Sequence, residues 1–148
     1  MLTASQDCLN SAKTCFVSQL KRILYADDDV DDKTWVVETC KALRFSLKLE
    51  FVENGRQALE YLASHSHDEL PSLIVLDLNM PEMDGRQTLQ RIKANELYKD
   101  IPVIIVTTSS SKADIDTCKR LGATLYLIKP DTYAEWQNII KQFVPYIG

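Results

Sequence analysis

Four apolar runs in this chain end on residues that could do chemistry. Ile23 to Asp27 opens into "ADDDVDD", which places five aspartates (Asp27, Asp28, Asp29, Asp31 and Asp32) in six residues. Leu73 to Asp77 ends on a carboxylate, Val103 to Thr107 runs into the hydroxyls of Thr107 and Thr108, and Thr124 to Lys129 ends on an amine followed by Pro130. If these runs lie side by side and point the same way, Asp27, Asp28, Asp77, Thr107 and Lys129 share one rim. Three close carboxylates repel one another and raise their own pKa values unless a cation neutralises them. Mg2+ suits such a set, because it takes oxygen ligands, keeps several waters and is held by one or two carboxylates together with a phosphate oxygen. A carboxylate beside that ion and an ammonium group can attack phosphorus, giving an acyl phosphate whose oxygens are shared among metal, ammonium and hydroxyl. Asp77 is the nucleophile expected from this pattern.

Each of these residues also has a more ordinary use. Aspartates at a helix start cap backbone N–H groups and complement the helix dipole, and Asp29, Asp31 and Asp32 are assigned that role. Asp27 and Asp28 belong to the strand end and are assigned to the chemistry. A Lys-Pro pair alone is usually a solvated turn, and Thr-Thr-Ser-Ser-Ser is usually a loop with a helix cap. Placement at successive strand ends is what separates the two from those uses.

The elements that must position them follow from hydrophobic periodicity. Five β-prone runs are expected at Ile23 to Asp27, Leu47 to Val52, Leu73 to Asp77, Val103 to Thr107 and Thr124 to Lys129. Those at 73, 103 and 124 are almost continuously apolar, as parallel strands covered on both faces should be. Leu47, Leu49 and Phe51 alternate with Lys48 and Glu50, which marks an edge strand. Apolar residues at helical spacing lie between and after the runs: Val36, Cys40 and Leu43; Ala58, Leu59 and Leu62; Thr88, Leu89 and Ile92; Ile115, Cys118 and Leu121; Trp136, Ile139, Ile140 and Phe143. Five such units predict a doubly wound, five-stranded parallel α/β sheet with five helices. Right-handed crossovers then point every strand the same way, so the strand ends form the rim where ligands bind.

The totals narrow the function. The 148 residues are 45% hydrophobic and 26% charged, as expected of one globular domain. A net charge of -4 and a pI near 5.2 argue against nucleic-acid binding, which calls for a basic face. Cys8, Cys15, Cys40 and Cys118 form no CxxC pair and stand apart from His65 and His67, so reduced thiols in the cytoplasm are expected rather than a metal site. No apolar run has the length of a membrane span or a signal peptide. Residues 1–21 form an N-terminal extension, a tail or a short helix with Leu9, Ala12, Phe16 and Leu20 on one side. With no linker after Phe143, residues 22–148 are expected to form a single domain.

Motif absences sharpen this further. No GxGxxG or Walker A pattern occurs, and the loop after the first strand is acidic where a dinucleotide or flavin site would receive phosphate on glycines or hydroxyls. A phosphatase of the haloacid dehalogenase type would place a second aspartate two residues after its nucleophile; here that residue is Asn79.

"VLDLNMPEMDG" (Val75 to Gly85), the acidic "ADDD", "PVIIVTTSS" (Pro102 to Ser110) and "GATLYLIKP" (Gly122 to Pro130) together resemble the receiver domain of two-component response regulators, over roughly residues 22 to 145. "NELYKDIPVIIVTTSS" and the polar insert "SHSHDELPS" resemble the stand-alone receivers related to cyanobacterial phytochrome response regulators. The resemblance implies a flavodoxin-like, CheY-like fold with strand order 2-1-3-4-5. It implies that Asp77 accepts a phosphoryl group from a sensor histidine kinase or histidine phosphotransfer protein. Asp28 would bind Mg2+ directly, Asp27 would hold a metal-bound water, and the backbone carbonyl of Asn79 would complete the protein ligands. Lys129 would pair with the phosphoryl group, aimed inward by a cis Lys129–Pro130 bond.

Thr107 would hydrogen-bond a phosphoryl oxygen, and Tyr126 would be the switch aromatic that turns inward and remodels the helix 4, strand 5 and helix 5 face for a downstream target. Asn79 and Ser109 would flank the path of a hydrolytic water, and Gly85 would supply backbone freedom at the third helix start. The expected function is a cytoplasmic, single-domain response regulator that signals by phosphorylation-dependent protein binding or phosphorelay, with a downstream protein or a second copy (homodimer) as partner. It would be a phosphoacceptor rather than an enzyme, apart from catalysing its own phosphorylation by small donors and its own dephosphorylation. Rival readings are a phospho-independent interaction module and a phospho-aspartyl phosphatase.

Overall fold

Along a strand, successive side chains point to opposite faces, so a run buried on both sides must divide its apolar residues between two cores. The structure, a computed structural model, describes residues 21–147 and shows this division. The strands are β1 (Lys21–Ala26), β2 (Leu47–Val52), β3 (Leu73–Leu76), β4 (Val103–Thr107) and β5 (Leu125–Ile128). The helices are α1 (Val30–Ala42), α2 (Gly55–Ala63), α3 (Gly85–Ala94), α4 (Lys112–Arg120), α5 (Tyr133–Lys141) and the single turn α6 (Val144–Ile147). The polar insert after α2 forms one 3-10 turn at His67–Glu69.

All strand pairs are parallel, in the order β2-β1-β3-β4-β5, with β2 at one edge as its alternation predicts. Leu24, Ala26, Ile74, Leu76, Val103 and Ile105 face the core made with Ala58, Leu62, Leu89, Ile92 and Cys118 of α2, α3 and α4. Ile23, Tyr25, Leu73, Val75, Ile104 and Val106 face the opposite core with Val36, Cys40, Trp136, Ile139, Ile140 and Phe143. The periodicity predicted five helices; α6 is the addition, one turn that buries Ile147 against this second core.

Helix starts carry the caps that fix their entry points. The Asp29, Asn54, Asp84, Ser111 and Thr132 side chains each accept from a backbone N–H in the first turn of α1 to α5 respectively, satisfying donors that a helix cannot pair internally. Cys40 and Cys118 are buried and form no disulfide among the described residues, and burial pushes the Cys40 thiol up to about 11, an inert state. The expected helix through Leu9, Ala12, Phe16 and Leu20, and nearly all of the 1–21 extension, lie outside the described residues.

Candidate functional site

Register alone brings the strand ends together. Ala26 pairs with Leu76 on one side and Val52 on the other, so the next residues, Asp27 and Asp77, leave the sheet as neighbours. The ladder continues one step beyond the strands: Asp27 N–H donates to the Val52 carbonyl at 3.0 Å, Asp77 N–H to Ala26 at 3.0 Å and Lys129 N–H to Thr107 at 2.7 Å. Asp27, Asp77 and Thr107 are buried at this rim, at 0%, 6% and 0% exposure.

The start of α3 is pressed onto the Asp77 end of β3. A Cβ at Gly85 would lie 2.2 Å from the Asp77 carbonyl oxygen and 2.9 Å from Leu78 Cα, and Gly85 N–H donates to Leu78 at 3.0 Å. Close approach of two backbones, rather than freedom of φ, is therefore what requires glycine here. In the same loop Glu82 does adopt a left-handed conformation, φ 63°, with its carboxylate on Arg56 Nε at 2.6 Å.

Lys129 is the centre of charge. Its ammonium lies 2.9 Å from Asp27 Oδ2, 3.1 Å from Asp77 Oδ2 and 2.6 Å from Asp32 Oδ2. Burial lowers the lysine pKa, but the Asp32 and Asp27 carboxylates in contact with the ammonium outweigh it and hold the amine protonated, well above its ordinary value. The Asp27 carboxyl goes the other way: burial pushes it up to about 6, against a hydrogen bond from Asp29 N–H at 2.9 Å and the nearby ammonium. One cation thus faces three carboxylates, and no second cation among the described residues pairs with Asp27, Asp32 or Asp77.

Asp32 is the residue that sequence reasoning missed. Asp29 caps α1, accepting from the N–H groups of Asp31 at 2.9 Å and Asp32 at 3.2 Å, as assigned. The Asp32 side chain instead turns to Lys129: each residue advances a helix by about 100°, which leaves Asp31 exposed and turns its neighbour Asp32 toward the rim. The signal was available as the spacing of Asp29 and Asp32, but not the direction of the side chain.

The other expected residues are placed as follows. Asp28 is exposed beside the rim, and Asn79 is exposed on the loop after Asp77, its N–H 3.3 Å from Asp77 Oδ1. The Lys129–Pro130 bond is trans, contrary to the cis expectation, since no cis peptide bond occurs among the described residues. The four-carbon lysine stem reaches the carboxylates without it. Thr107 Oγ1 accepts a long bond from Ser109 N–H at 3.5 Å. The Tyr126 ring packs against the α2–α3–α4 core, and its hydroxyl donates to the Ser109 carbonyl at 2.9 Å. The Ser109 hydroxyl is bound to Asp114 Oδ2 at 2.6 Å on α4.

Residues 23–141 match the family model described as the response regulator receiver domain. The chain belongs to this family. Response regulator Rcp1 of Synechocystis sp. is 35% identical over 112 residues, covering 74% of this chain and 76% of that protein. The probable methanogenesis regulatory protein FilR2 of Methanothrix harundinacea is 30% identical over 126 residues, covering 84% and 81%. Among solved structures, the phosphorylated cyanobacterial phytochrome response regulator RcpA superposes with a TM-score of 0.78 at 28% identity, covering 86% of this chain and 94% of that one. A response regulator in red light signalling of R. palustris gives 0.76 at 30% identity, covering 84% and 91%.

The pocket of this receiver domain fits a hard cation. Asp27, Asp28 and Asp77 each offer one carboxylate oxygen, and the three oxygens lie within 4.8 Å of one another. Asp27 Oδ2 is fully buried and, although the ammonium is near, it makes no hydrogen bond of acceptable geometry. An anionic, all-oxygen donor set favours Mg2+ and similar ions over metals that seek thiolate or imidazole. Among the described residues no helix is long and apolar enough to cross a membrane.

Proposed function

We propose that this receiver domain accepts a phosphoryl group on Asp77 from a phosphohistidine of a sensor histidine kinase or histidine phosphotransfer protein. The observation that carries this reading is the nearly buried Asp77 carboxylate held 3.1 Å from Lys129, beside the unmatched charge of Asp27. In the transfer, one Asp77 oxygen bonds to phosphorus as the phosphorus–nitrogen bond of the donor breaks and its electron pair returns to the imidazole. Asp28 and Asp77, the Asn79 carbonyl, and Asp27 through water would hold Mg2+. When bound, that ion neutralises charge building on the phosphoryl oxygens.

Lys129 already lies within reach of a group on Asp77 and would exchange its carboxylate contacts for a phosphoryl oxygen. Thr107, at the end of the neighbouring strand, would donate its hydroxyl to another. Moving Thr107 also moves the loop that receives Tyr126, so a local charge event reaches the surface of α4, β5 and α5, where a downstream protein or a second copy would bind. The domain would act as a cytoplasmic signalling protein. Residues 22–148 would be its functional unit, with residues 1–21 as an extension.

The test is intact mass after incubation with acetyl phosphate and Mg2+. Uptake of one phosphoryl group, lost on chelation and in Asp77→Asn, is expected. No uptake from acetyl phosphate or from any phosphohistidine donor would favour an interaction module that retains the pocket as structure. Sustained turnover of a phosphate ester would favour a phosphatase.

A further inference from the structure

A second polar cluster lies beside the site, held by two charged residues, Arg86 and Asp114, that the phosphoryl transfer itself does not use. Arg86, the second residue of α3, directs Nε and Nη2 at Asp114 Oδ1 in the first turn of α4, Nε at 3.1 Å. The other oxygen of the same carboxylate receives the Ser109 hydroxyl at 2.6 Å. Both oxygens of Asp114 are thus engaged, which fixes the orientation of the carboxylate as well as its charge.

Ser109 is held at every polar atom. Its hydroxyl donates to Asp114 and accepts from Ser111 N–H at 3.3 Å, its N–H approaches Thr107 Oγ1 at 3.5 Å, and its carbonyl accepts the Tyr126 hydroxyl at 2.9 Å. The Ser109 hydroxyl and the Arg86 guanidinium together hold the Asp114 carboxyl below its ordinary range.

The cluster also has a mechanical root. Arg86 directly follows Gly85, where a Cβ would meet the Asp77 carbonyl oxygen at 2.2 Å, so its base lies close against the acceptor strand. A continuous chain of contacts therefore runs from the Asp77 end of β3 through Gly85, Arg86, Asp114 and Ser109 to Tyr126.

We infer that Arg86 and Asp114 are positioning residues: they anchor Ser109, and through it fix the loop that follows Thr107 and receives the Tyr126 hydroxyl. The inference rests on the phosphoacceptor reading for its effect on the acyl phosphate, whereas the anchoring itself does not. With the anchor intact the Ser109 hydroxyl is committed to α4. With it broken, the hydroxyl is free to hydrogen-bond water near the acyl phosphate, and the loop loses its single conformation.

Two measurements on the full chain test this. In unphosphorylated protein carrying ring-labelled tyrosine, with the Tyr126 resonance assigned through Tyr126→Phe, Asp114→Ala and Ser109→Ala should each shift or broaden that resonance. The double variant should add nothing further, and Asp116→Ala, an exposed change on the same helix, should leave it unmoved. In phosphorylated protein, Asp114→Ala should shorten the acyl-phosphate half-life about threefold, the scale of one displaced hydrogen bond. Asp114→Glu should restore part of it.

An unmoved Tyr126 resonance in Asp114→Ala would overturn the inference. So would a wild-type half-life in that variant. If the wild-type chain takes up no phosphoryl group, the phosphoacceptor reading fails, and the Tyr126 resonance still decides the anchor.

Discussion

Two cations organise two polar clusters at one rim of the sheet, and the aspartates around them end in opposite states, because burial outweighs the cation in one cluster and not in the other. Lys129 faces Asp27, Asp32 and Asp77 in a setting that is 9% exposed or less for all but Asp32, and Asp27 is nevertheless pushed up to about 6. Arg86 hydrogen-bonds one carboxylate, Asp114, in a half-buried setting, with Asp84 more distant at 3.8 Å, and Asp114 is held low. Burial without enough countercharge leaves an electrostatic demand, which a metal ion and a phosphoryl group can answer. A matched pair with both oxygens bonded leaves no demand and supplies orientation. The first cluster is built to react and the second to hold still.

The contrast is sharpest in what removing each cation does. Lys129→Met leaves three carboxylates around an apolar stem and should destabilise the fold by about 3 kcal/mol in chelator, the scale of a broken buried pair. Mg2+ should recover part of that loss. Arg86→Ala, in contact with solvent, should cost no more than about 1 kcal/mol and show no recovery with Mg2+. Equal losses in denaturant titrations would erase the distinction between the clusters.

Within the Lys129 cluster, the carboxylates should differ. Asp28→Ala removes the carboxylate proposed to bind Mg2+ directly and should weaken Mg2+ binding, read by calorimetry, by more than about tenfold, or 1.4 kcal/mol. Asp32→Ala acts only through charge and the position of Lys129, so its loss should stay below about tenfold. The reverse order would place Asp32, not Asp28, at the ion.

A smaller effect follows from pH. A carboxyl whose folded pKa is raised from 3.8 to about 6 binds its proton more tightly when folded, so its contribution to stability falls as pH rises through that window. In chelator, Asp27→Asn should flatten that part of the stability profile and be more stable than wild type at neutral pH. An unchanged slope would mean that Lys129 already neutralises Asp27.

The smallest change tests the wall behind the cluster. The Tyr25 hydroxyl is buried and has no hydrogen-bond partner among the described residues, and burial, then Asp27, Asp32 and Asp77, raise its pKa well above the ordinary value. Tyr25→Phe removes an unpaired buried group and should stabilise the fold by up to about 1 kcal/mol by thermal melting. Destabilisation would show that the hydroxyl has a partner.

Much of this was legible in the chain. Runs such as Val103–Thr107 are too apolar for anything but a covered strand, and parallel register then brings together Asp27, Asp77, Thr107 and Lys129, residues distant in sequence. What escaped depends on directions that sequence spacing does not encode. Asp32 looked like one more helix-start carboxylate until the turn of α1 aimed it at Lys129. Gly85 suggested conformational freedom, whereas the constraint is the carbonyl of Asp77 lying against it. Arg86 and Asp114 are 28 residues apart on different helices, and no local pattern pairs them.

The central claim is that Asp77, and not another carboxylate of the cluster, receives the phosphoryl group. The most direct measurement is borohydride trapping after incubation with acetyl phosphate and Mg2+, followed by peptide mass spectrometry. Reduction converts an aspartyl phosphate to homoserine and so marks the residue that carried it. Homoserine at position 77 alone, absent without Mg2+, is the predicted result; homoserine at 27, 28 or 32, or at none of the four positions, would contradict it.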